Sequence, residues 1–375
     1  MPPAQTVATP RFRLRCLGCE RTRPPTVSVL TCDTCGGLFE VEYLDPPPGD
    51  SPLLPIGREQ ARITLGEGNT PVVELRRLAG ELGLGRLWAK MEHVAPTGSF
   101  KDRGSAVLMS VAREHGVSEF VEDSSGNAGA SLSAYAAAAG IKAHVCAPAS
   151  ASPGKLQQIE VFGAQLHRGE GPRQAATDAA RAFVKELGLV YLSHSYSPFF
   201  CEGMKAFSYE IARSPAARVR HIVIPVGNGS LLIGGSTGFA ELVEAGVVEA
   251  APRFHCVQAA AVRPIVAVLN GESWQFDRAG RTVASGIAVS KPPRLEQAVD
   301  AVRDTGGAGV AVDDPSVLAW QRRLARTEGI FCEATSAAAF AGLEQLVQRG
   351  VVRQGEEALL PITGSGLKEP LPPAP

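Results

Sequence analysis

The sequence has no long hydrophobic run and almost no net charge. Its 37 Lys and Arg residues nearly balance 38 Asp and Glu residues, and the pI is about 6.7. This balance gives no electrostatic reason to expect a nucleic-acid or membrane-surface partner. The longest apolar stretches are too short to cross a bilayer. The N-terminus lacks the apolar region of a secretory signal peptide. We therefore expect a soluble, cytoplasmic protein without nucleic-acid or membrane partners.

Aromatic residues are also scarce, at 6%, but hydrophobic residues reach 45%, as in globular proteins. A chain of 375 residues exceeds the usual size of one core, so we expect two packed lobes. Strand-like runs alternate with helix-like segments that end at glycine, which predicts an α/β fold with parallel sheets. The predicted strands are residues 87–91, 143–147, 164–167, 189–192, 221–224, 254–258 and 359–362, and the predicted helices include 153–162 and 172–187. Residues 46–55 and 370–375 are proline-rich connectors.

Lys101 stands at the start of a predicted helix. Ser99 and Asp102 have the spacing of a capping box, and an apolar helical segment follows until Gly116. The positive end of a helix favours the neutral, nucleophilic form of a lysine amine. An ordinary surface lysine would fit the same pattern, so Lys101 becomes a candidate only together with other motifs.

Three glycine-containing loops supply those motifs. They are residues 124–129 (Ser-Ser-Gly-Asn-Ala-Gly), 225–230 (Pro-Val-Gly-Asn-Gly-Ser) and 363–366 (Thr-Gly-Ser-Gly). Each follows a strand-like run, and the first two precede a predicted helix, where free backbone N–H groups can bind an anion. Three such loops with one lysine indicate a phosphorylated aldehyde cofactor and an amino-acid carboxylate.

The eight cysteines fall into two sets. Cys16, Cys19, Cys32 and Cys35 form two CxxC pairs, which predicts a tetrahedral structural zinc site in a small ribbon. A closed shell of four thiolates leaves no position for substrate, so the zinc would stabilise the ribbon rather than act in chemistry. The remaining cysteines are scattered in apolar contexts and are expected to be buried, reduced thiols.

Residues 64–370 resemble the threonine synthase group of pyridoxal-phosphate enzymes of the tryptophan-synthase-β fold type. Five motifs carry the resemblance, in consistent order: residues 65–71 (Leu-Gly-Glu-Gly-Asn-Thr-Pro), 96–104 around Lys101, 124–127, 227–230, and the pair 333–337 with 363–369. Some members of the group also carry an N-terminal zinc ribbon. The resemblance implies two lobes and a likeness strong for fold and cofactor but weaker for substrate.

The resemblance also implies roles for individual residues. Lys101 would hold pyridoxal 5'-phosphate as a Schiff base and later move the Cα proton. The cofactor's phosphate would be bound by Gly227, Asn228, Gly229 and Ser230, and its phenolic oxygen by Asn127. Ser124, Ser125 and Gly126 would bind the substrate carboxylate. Thr363, with Ser365 as the alternative, would meet the pyridine nitrogen, and a hydroxyl there favours eliminations over reactions that need a long-lived carbanion. We assign Asp102 and Arg103 structural work.

The sequence departs from the group near the expected substrate. Where the group has an Asn-Pro-aromatic-Arg stretch that helps to hold the substrate's phosphate, this chain has Ser197 and Phe200, and Ala95 replaces an Asn before Pro96. An aromatic ring cannot replace the two hydrogen bonds of an arginine. We therefore predict that Phe200 lines the substrate pocket and that O-phosphohomoserine is not strongly preferred. The cations that could compensate are Lys155, Lys205 and Arg168; His93 and His194 are either substrate contacts or structural histidines.

The expected protein is a pyridoxal-phosphate-dependent lyase that eliminates, or eliminates and replaces, at the β or γ carbon of an amino acid. The alternative is a cysteate synthase-, cysteine synthase- or threonine dehydratase-like enzyme acting on a serine- or threonine-type substrate. A zinc-ribbon binding protein on a retired enzyme fold conflicts with the intact Lys101. A nicotinamide dehydrogenase conflicts with the incomplete glycine spacing at Gly227. We expect a homodimer with a ribbon (1–45), a large cofactor-binding lobe (46–104 and 200–375) and a smaller, mobile substrate lobe (105–199).

Overall fold

The computed structural model describes residues 11–148, 151–169, 173–275 and 280–369, without the side chains of 173–175. The proline-rich residues 370–375 lie outside these ranges. The described strands are β1 Phe12–Cys16, β2 Thr22–Arg23, β3 Phe39–Tyr43, β4 Val72–Glu74, β5 Arg86–Lys90, β6 Glu119–Glu122, β7 Lys142–Pro148, β8 Gln165–Gly169, β9 Val190–Tyr191, β10 His221–Pro225, β11 Arg253–Ala259, β12 Gly309–Val312 and β13 Glu357–Pro361.

The described helices are α1 Arg76–Leu82, α2 Lys101–Glu114, α3 Asn127–Ala139, α4 Pro153–Val161, α5 Arg173–Leu187, α6 Pro198–Met204, α7 Ala206–Ala212, α8 Ser230–Glu244, α9 Pro264–Leu269, α10 Leu295–Asp304, α11 Asp314–Glu328 and α12 Ala334–Gln348. Short 3₁₀ helices cover Glu59–Ala61, Glu92–Val94, Ser285–Ile287 and Gly366–Lys368. Strands and helices predicted from the sequence are present, with ends shifted by one to three residues.

The strands form three sheets. The N-terminal residues make an antiparallel sheet in the order β2-β1-β3. A six-stranded sheet has the order β12-β11-β10-β13-β5-β4, parallel except for the edge strand β4. A four-stranded parallel sheet has the order β8-β7-β6-β9. The predicted α/β fold with parallel sheets and a small N-terminal ribbon is confirmed.

The two parallel sheets correspond to the two expected lobes. The four-stranded sheet uses residues between 119 and 191, and the six-stranded sheet uses residues before and after that stretch. The lobe boundaries we predicted, 104/105 and 199/200, fall inside α2 and α6. These boundaries stay a prediction, and both lie in helices that pack against each other.

Three helices at the centre of the molecule approach each other through glycine. A Cβ at Gly104 of α2 would lie 2.7 Å from the Phe200 carbonyl oxygen, and one at Gly203 of α6 would overlap the Arg103 carbonyl. On the other side of α6, a Cβ at Gly238 of α8 would lie 2.7 Å from the Lys205 carbonyl oxygen. Such distances exclude any side chain, so α6 lies in backbone contact with both α2 and α8.

The start of α2 differs from the predicted capping box. Lys101 is the first residue of the helix, as predicted, but Asp102 does not cap it. Its carboxylate accepts hydrogen bonds from the Thr97 N–H at 2.7 Å, the Thr97 hydroxyl and the Ser131 hydroxyl. Phe100 already has helical φ and ψ, so Ser99 is not the N-cap, and its buried Oγ has no partner among the described residues. The carboxylate of Asp102 therefore fastens the preceding turn.

No helix in the described ranges is long and apolar enough to cross a bilayer.

Candidate active site

A cavity of about 550 Å³ opens between the two parallel sheets, at the carboxyl ends of their strands. Ten residues predicted for the site line it together: Lys101, Ser124, Ser125, Gly126, Asn127, Gly227, Asn228, Gly229, Ser230 and Thr363. They come from the start of α2 and from the loops after β6, β10 and β13. The parallel topology brings these four segments to one edge, although they are far apart in the sequence.

Lys101 lies on the floor of the cavity between two aromatic rings. Its Nζ is 4.4 Å from the ring centre of Phe100 and 5.7 Å from that of Phe200. An aromatic face attracts a lysine ammonium and excludes water from one side of it. The side chain is therefore held at the mouth of α2, facing the loops that line the cavity.

The loop after β10 has the form of a phosphate cradle. The backbone N–H groups of residues 227–230 donate to no other backbone group within the described chain. They precede α8, a helix of 15 residues whose positive end favours an anion. A Cβ at Gly227 would lie 2.7 Å from the Gly286 carbonyl oxygen, and Gly229 has a φ of +89°. Both glycines are therefore required by the loop's backbone.

Asn127 links the cavity to a buried charge cluster. Its Nδ2 donates to Glu333 at 2.8 Å, and its buried Oδ1 has no partner among the described residues. Lys155 lies 3.2 Å from Glu333 and 3.0 Å from Glu369. Burial raises the pKa of Glu333, whereas for Lys155 burial is outweighed by these two carboxylates, which raise its pKa. Lys155 lines the cavity, but its charge is neutralised by two neighbours.

The hydroxyl expected at the pyridine nitrogen has two candidates, and only one lines the cavity. The Thr363 hydroxyl faces it and lies 2.8 Å from the Ser336 hydroxyl. Ser365 instead accepts a hydrogen bond from the Leu367 N–H at the start of a 3₁₀ helix. In the carboxylate-binding loop, the Ser124 hydroxyl accepts a hydrogen bond from the Gly126 N–H at 3.3 Å, which orders that loop.

His194 joins the cavity wall to the phosphate cradle. Its Nδ1 is 2.6 Å from the Glu122 carboxylate, which can only accept, so Nδ1 carries a proton. In the neutral ring, Nε2 then accepts from the Asn228 side-chain amide at 3.3 Å. Glu122 and His194 therefore orient Asn228, a contact that the sequence did not reveal.

Several other predicted residues lie elsewhere. Phe200 is completely buried and packs behind Lys101 rather than on the cavity surface, so its predicted substrate contact stays a prediction. Lys205 is buried between Glu202 and Glu241 at 2.7 and 2.6 Å. Arg168 is exposed and paired with Glu160. His93 does not line the cavity, and burial lowers its pKa.

The segment 280–289 and the residues Glu333 and Thr335 also line the cavity but were not predicted as site residues. Gly286 donates its N–H to the Thr335 hydroxyl at 3.0 Å, which fixes this segment to α12. The segment carries neither strand nor helix periodicity, so it has no functional signal in the sequence. Only the close contact between Gly227 and Gly286 reveals its position.

The second predicted site lies in the N-terminal ribbon. The Sγ atoms of Cys16, Cys19, Cys32 and Cys35 all lie within 4.8 Å of one another. Four cysteine sulfurs in this arrangement are the ligand set of a structural zinc site. The other four cysteines are buried and free, as predicted.

The residues of the cavity fit pyridoxal 5'-phosphate. The cradle offers unpaired N–H donors for a phosphate, Lys101 offers an amine for the aldehyde, and Asn127 retains an unpartnered polar atom. Thr363 offers a hydroxyl. These four groups are the donors and acceptors that the cofactor's substituents require.

Comparison with known proteins agrees with this geometry. Residues 63–364 match the family model described as pyridoxal-phosphate dependent enzyme. The chain is 34% identical to the threonine synthase of Methanocaldococcus jannaschii, covering 95% of this chain and 93% of that protein. It is also 34% identical to the threonine synthase of Methanosarcina acetivorans, covering 96% and 93%.

Solved structures show the same fold. A threonine deaminase from the organism abbreviated T.th. matches with a TM-score of 0.68 and 25% identity, covering 81% of this chain and 94% of that one. An O-ureido-L-serine synthase matches with a TM-score of 0.66 and 22% identity, covering 80% and 90%. The latter likeness shows the fold alone.

Proposed function

Because the chain belongs to the pyridoxal-phosphate-dependent enzyme family and is threonine synthase-like, we propose that it eliminates, or eliminates and replaces, a group at the β or γ carbon of an amino acid. The observation that carries this proposal is the convergence of Lys101 and three anion-binding loops on one cavity. When bound, the cofactor supplies an electron sink that stabilises negative charge at the substrate's Cα.

The protein's own residues divide the remaining work. The N–H groups of residues 227–230 would hold the phosphate, and Lys101 would hold the aldehyde end. Ser124, Ser125 and the N–H groups that follow them would bind the substrate carboxylate at the start of α3. The Lys101 Nζ, held over the cavity floor by Phe100, would move the proton at Cα. Asn127 would contact the cofactor's ring oxygen while Glu333 orients its amide.

The substrate proposal follows from the charges in the cavity. Among the described residues, the lysines and arginines that line it are Lys101, Lys155 and Arg281. Lys101 is assigned to the cofactor, Lys155 is neutralised by Glu333 and Glu369, and Arg281 is exposed at the rim. A doubly charged leaving phosphate therefore lacks a buried cation of its own. We propose a substrate with a less charged leaving group, such as an O-acyl, hydroxyl or carbon-substituted amino acid.

This charge pattern also favours the second candidate function, β-replacement or deamination of a serine- or threonine-type substrate. Losing one charge-assisted hydrogen bond costs about 1.5–3 kcal/mol, which is about one to two powers of ten in affinity. The test compares kcat/KM for O-phosphohomoserine, O-phosphoserine, O-acetylserine, serine and threonine. A preference for O-phosphohomoserine above about a hundredfold, scaled from that same loss, would refute the proposal.

The assignment of Lys101 has its own experiment. Borohydride reduction of the wild-type holoenzyme should attach the cofactor irreversibly to Lys101, as located by peptide mass spectrometry. Lys101→Ala should lose both the reduced adduct and turnover. Lys142→Ala is the matched control, because Lys142 is half exposed and pairs with Glu119 far from the cavity. Wild-type turnover with a lysine adduct in Lys101→Ala would contradict the assignment.

We further propose that the enzyme acts as a cytoplasmic homodimer. The eight cysteines are all free, which suits a reducing compartment. Light scattering during size-exclusion chromatography should give twice the mass of the 39.3 kDa chain. A monomer mass over the micromolar range would contradict the dimer.

A further inference from the structure

Arg294 is a buried cation without a carboxylate partner among the described residues. Its exposed fraction is 3%, and burial lowers its pKa. Taking a guanidinium out of water is costly unless its donors are satisfied by good hydrogen bonds. An apolar side chain of similar volume would avoid this cost. The position therefore uses the directional hydrogen bonds that only arginine supplies.

The hydrogen bonds of Arg294 connect three parts of the molecule. Its Nη2 donates to the Phe39 carbonyl oxygen in β3 of the ribbon at 3.0 Å and to the Tyr196 carbonyl oxygen at 2.7 Å. Its Nη1 donates to Gln297 in α10 at 2.5 Å. One guanidinium thus joins the N-terminal ribbon, the segment that leads into α6, and a helix of the large lobe.

The other end of β3 is also attached to α6. The Tyr43 hydroxyl donates to Glu202 at 2.7 Å, and the Lys205 Nζ lies 4.3 Å from the Tyr43 ring centre. The ribbon's apolar residues, including Phe39, belong to the same hydrophobic core as Phe200. The ribbon strand therefore lies along α6 and is fixed at both ends.

Helix α6 in turn supports the active-site lysine. Phe200 packs 5.7 Å from the Lys101 Nζ and 5.7 Å from the His194 ring. Its carbonyl oxygen is where Gly104 of α2 comes into backbone contact with α6. A displacement of α6 would move both Phe200 and the first turn of α2, which carries Lys101.

We propose that Arg294 is a positioning residue that couples the N-terminal ribbon to the active site. It fixes β3 against the start of α6, and α6 fixes Phe200 behind Lys101. The inference rests on the proposed function in taking the cavity as the active site. It gives the ribbon a role beyond stability, although no ribbon residue lines the cavity within the described chain.

The test uses the holoenzyme with two substitutions at this position. Arg294→Met keeps the volume and removes the donors, and Arg294→Lys keeps the charge but loses the planar pair of donors. Arg13→Met is the matched control, because Arg13 is a ribbon arginine that forms an exposed ion pair with Glu42. Each variant is measured for zinc content, thermal midpoint, visible circular dichroism of the bound cofactor, kcat and KM.

We expect Arg294→Met to retain zinc and cofactor but to lower kcat about tenfold, the equivalent of one to two net hydrogen bonds. Its visible circular dichroism should change, because this signal reports the asymmetry around the cofactor. Arg294→Lys should fall between Arg294→Met and wild type, and Arg13→Met should match wild type in both signals. A merely structural role would lower the thermal midpoint and leave the dichroism and kcat of the folded enzyme unchanged, which would overturn the proposal.

A variant that fails to fold does not end the test. Tyr43→Phe removes only the hydrogen bond at the other end of β3 and keeps the ring. If Arg294→Met aggregates, unchanged dichroism and kcat in both Arg294→Lys and Tyr43→Phe would refute the coupling. If wild type binds the cofactor but turns over none of the amino acids tested, the proposed function fails, whereas the dichroism still decides this inference.

Discussion

Beneath the lysine helix, two cations and two carboxylates form a buried, neutral cluster. Arg103 donates to Glu210 through Nη1 at 2.6 Å and Nη2 at 2.7 Å, and to Glu92 through Nε at 2.7 Å. Lys90 donates to Glu210 at 2.6 Å. Replacing Glu210 by glutamine keeps the shape and removes one negative charge, which leaves an excess positive charge in the interior.

The size of the effect follows from the pKa of Glu210. Burial alone would raise this pKa, but the hydrogen bonds and charges of Arg103 and Lys90 outweigh burial and lower it from 4.5 to about 2. At about 1.4 kcal/mol per pKa unit, this corresponds to about 3 kcal/mol of stability. The side chain is only 15% exposed, so solvent screening does not reduce that figure greatly. Breaking a buried ion pair costs about 3–5 kcal/mol, which agrees.

We therefore expect Glu210→Gln to lower the free energy of unfolding in urea by about 3 kcal/mol at pH 7. A carboxylate with a lowered pKa stabilises the fold above its unfolded pKa. The difference between Glu210→Gln and wild type should thus shrink as pH falls from 4.5 towards 2. Adding Lys90→Met restores neutrality and should recover part of the loss.

The control is Glu59→Gln, because Glu59 forms an exposed pair with Arg62 and its loss should cost under about 1 kcal/mol. If Glu210→Gln costs no more than this control at pH 7, the cluster does not stabilise the fold as argued.

Three further predictions concern the ribbon, the cradle and a buried histidine. Elemental analysis should find about one zinc per chain, from the four-ligand count; Cys35→Ser should lose it and lower the thermal midpoint, and a metal-free wild type at full stability would contradict the site. His194→Asn should raise the Kd for pyridoxal phosphate about fivefold, since Asn228 loses one hydrogen bond worth about 1 kcal/mol, whereas His93→Gln should leave it unchanged; equal Kd values would refute the link. Burial and the neighbouring His221 lower the pKa of His255 from 6.5 to about 3, so the unfolded chain binds the extra proton first and stability falls as pH drops from 6.5 towards 3; His255→Gln should flatten urea stability over that range, and an unchanged slope would contradict this.

Much of the site could be predicted because its residues lie at strand ends followed by helices. Residues 227–230 follow a fully buried strand, and Lys101 opens an amphipathic helix, so both signals are local. The loop 124–127 precedes an alanine-rich helix that ends at Gly140 with φ of +68°. Local patterns of this kind survive in a single sequence.

The parts that failed depend on contacts between distant segments. The partner of Asp102 is Thr97 rather than Ser99, because Phe100 already adopts helical geometry. Phe200 is turned behind Lys101 by the backbone contact with Gly104, which no sequence pattern announces. Arg294, 255 positions from Phe39, carries no local signature at all.

The glycine contacts of α6 have a consequence for how such an enzyme can change. Lys101 opens α2, the phosphate cradle opens α8, and α6 lies between them in backbone contact with both. The span from amine to phosphate is therefore a dimension of the scaffold, set by the thickness of three bare helices. Mutations in the loops can redesign what enters the cavity without altering this ruler, so new substrate preferences can arise while the cofactor's seat keeps its length.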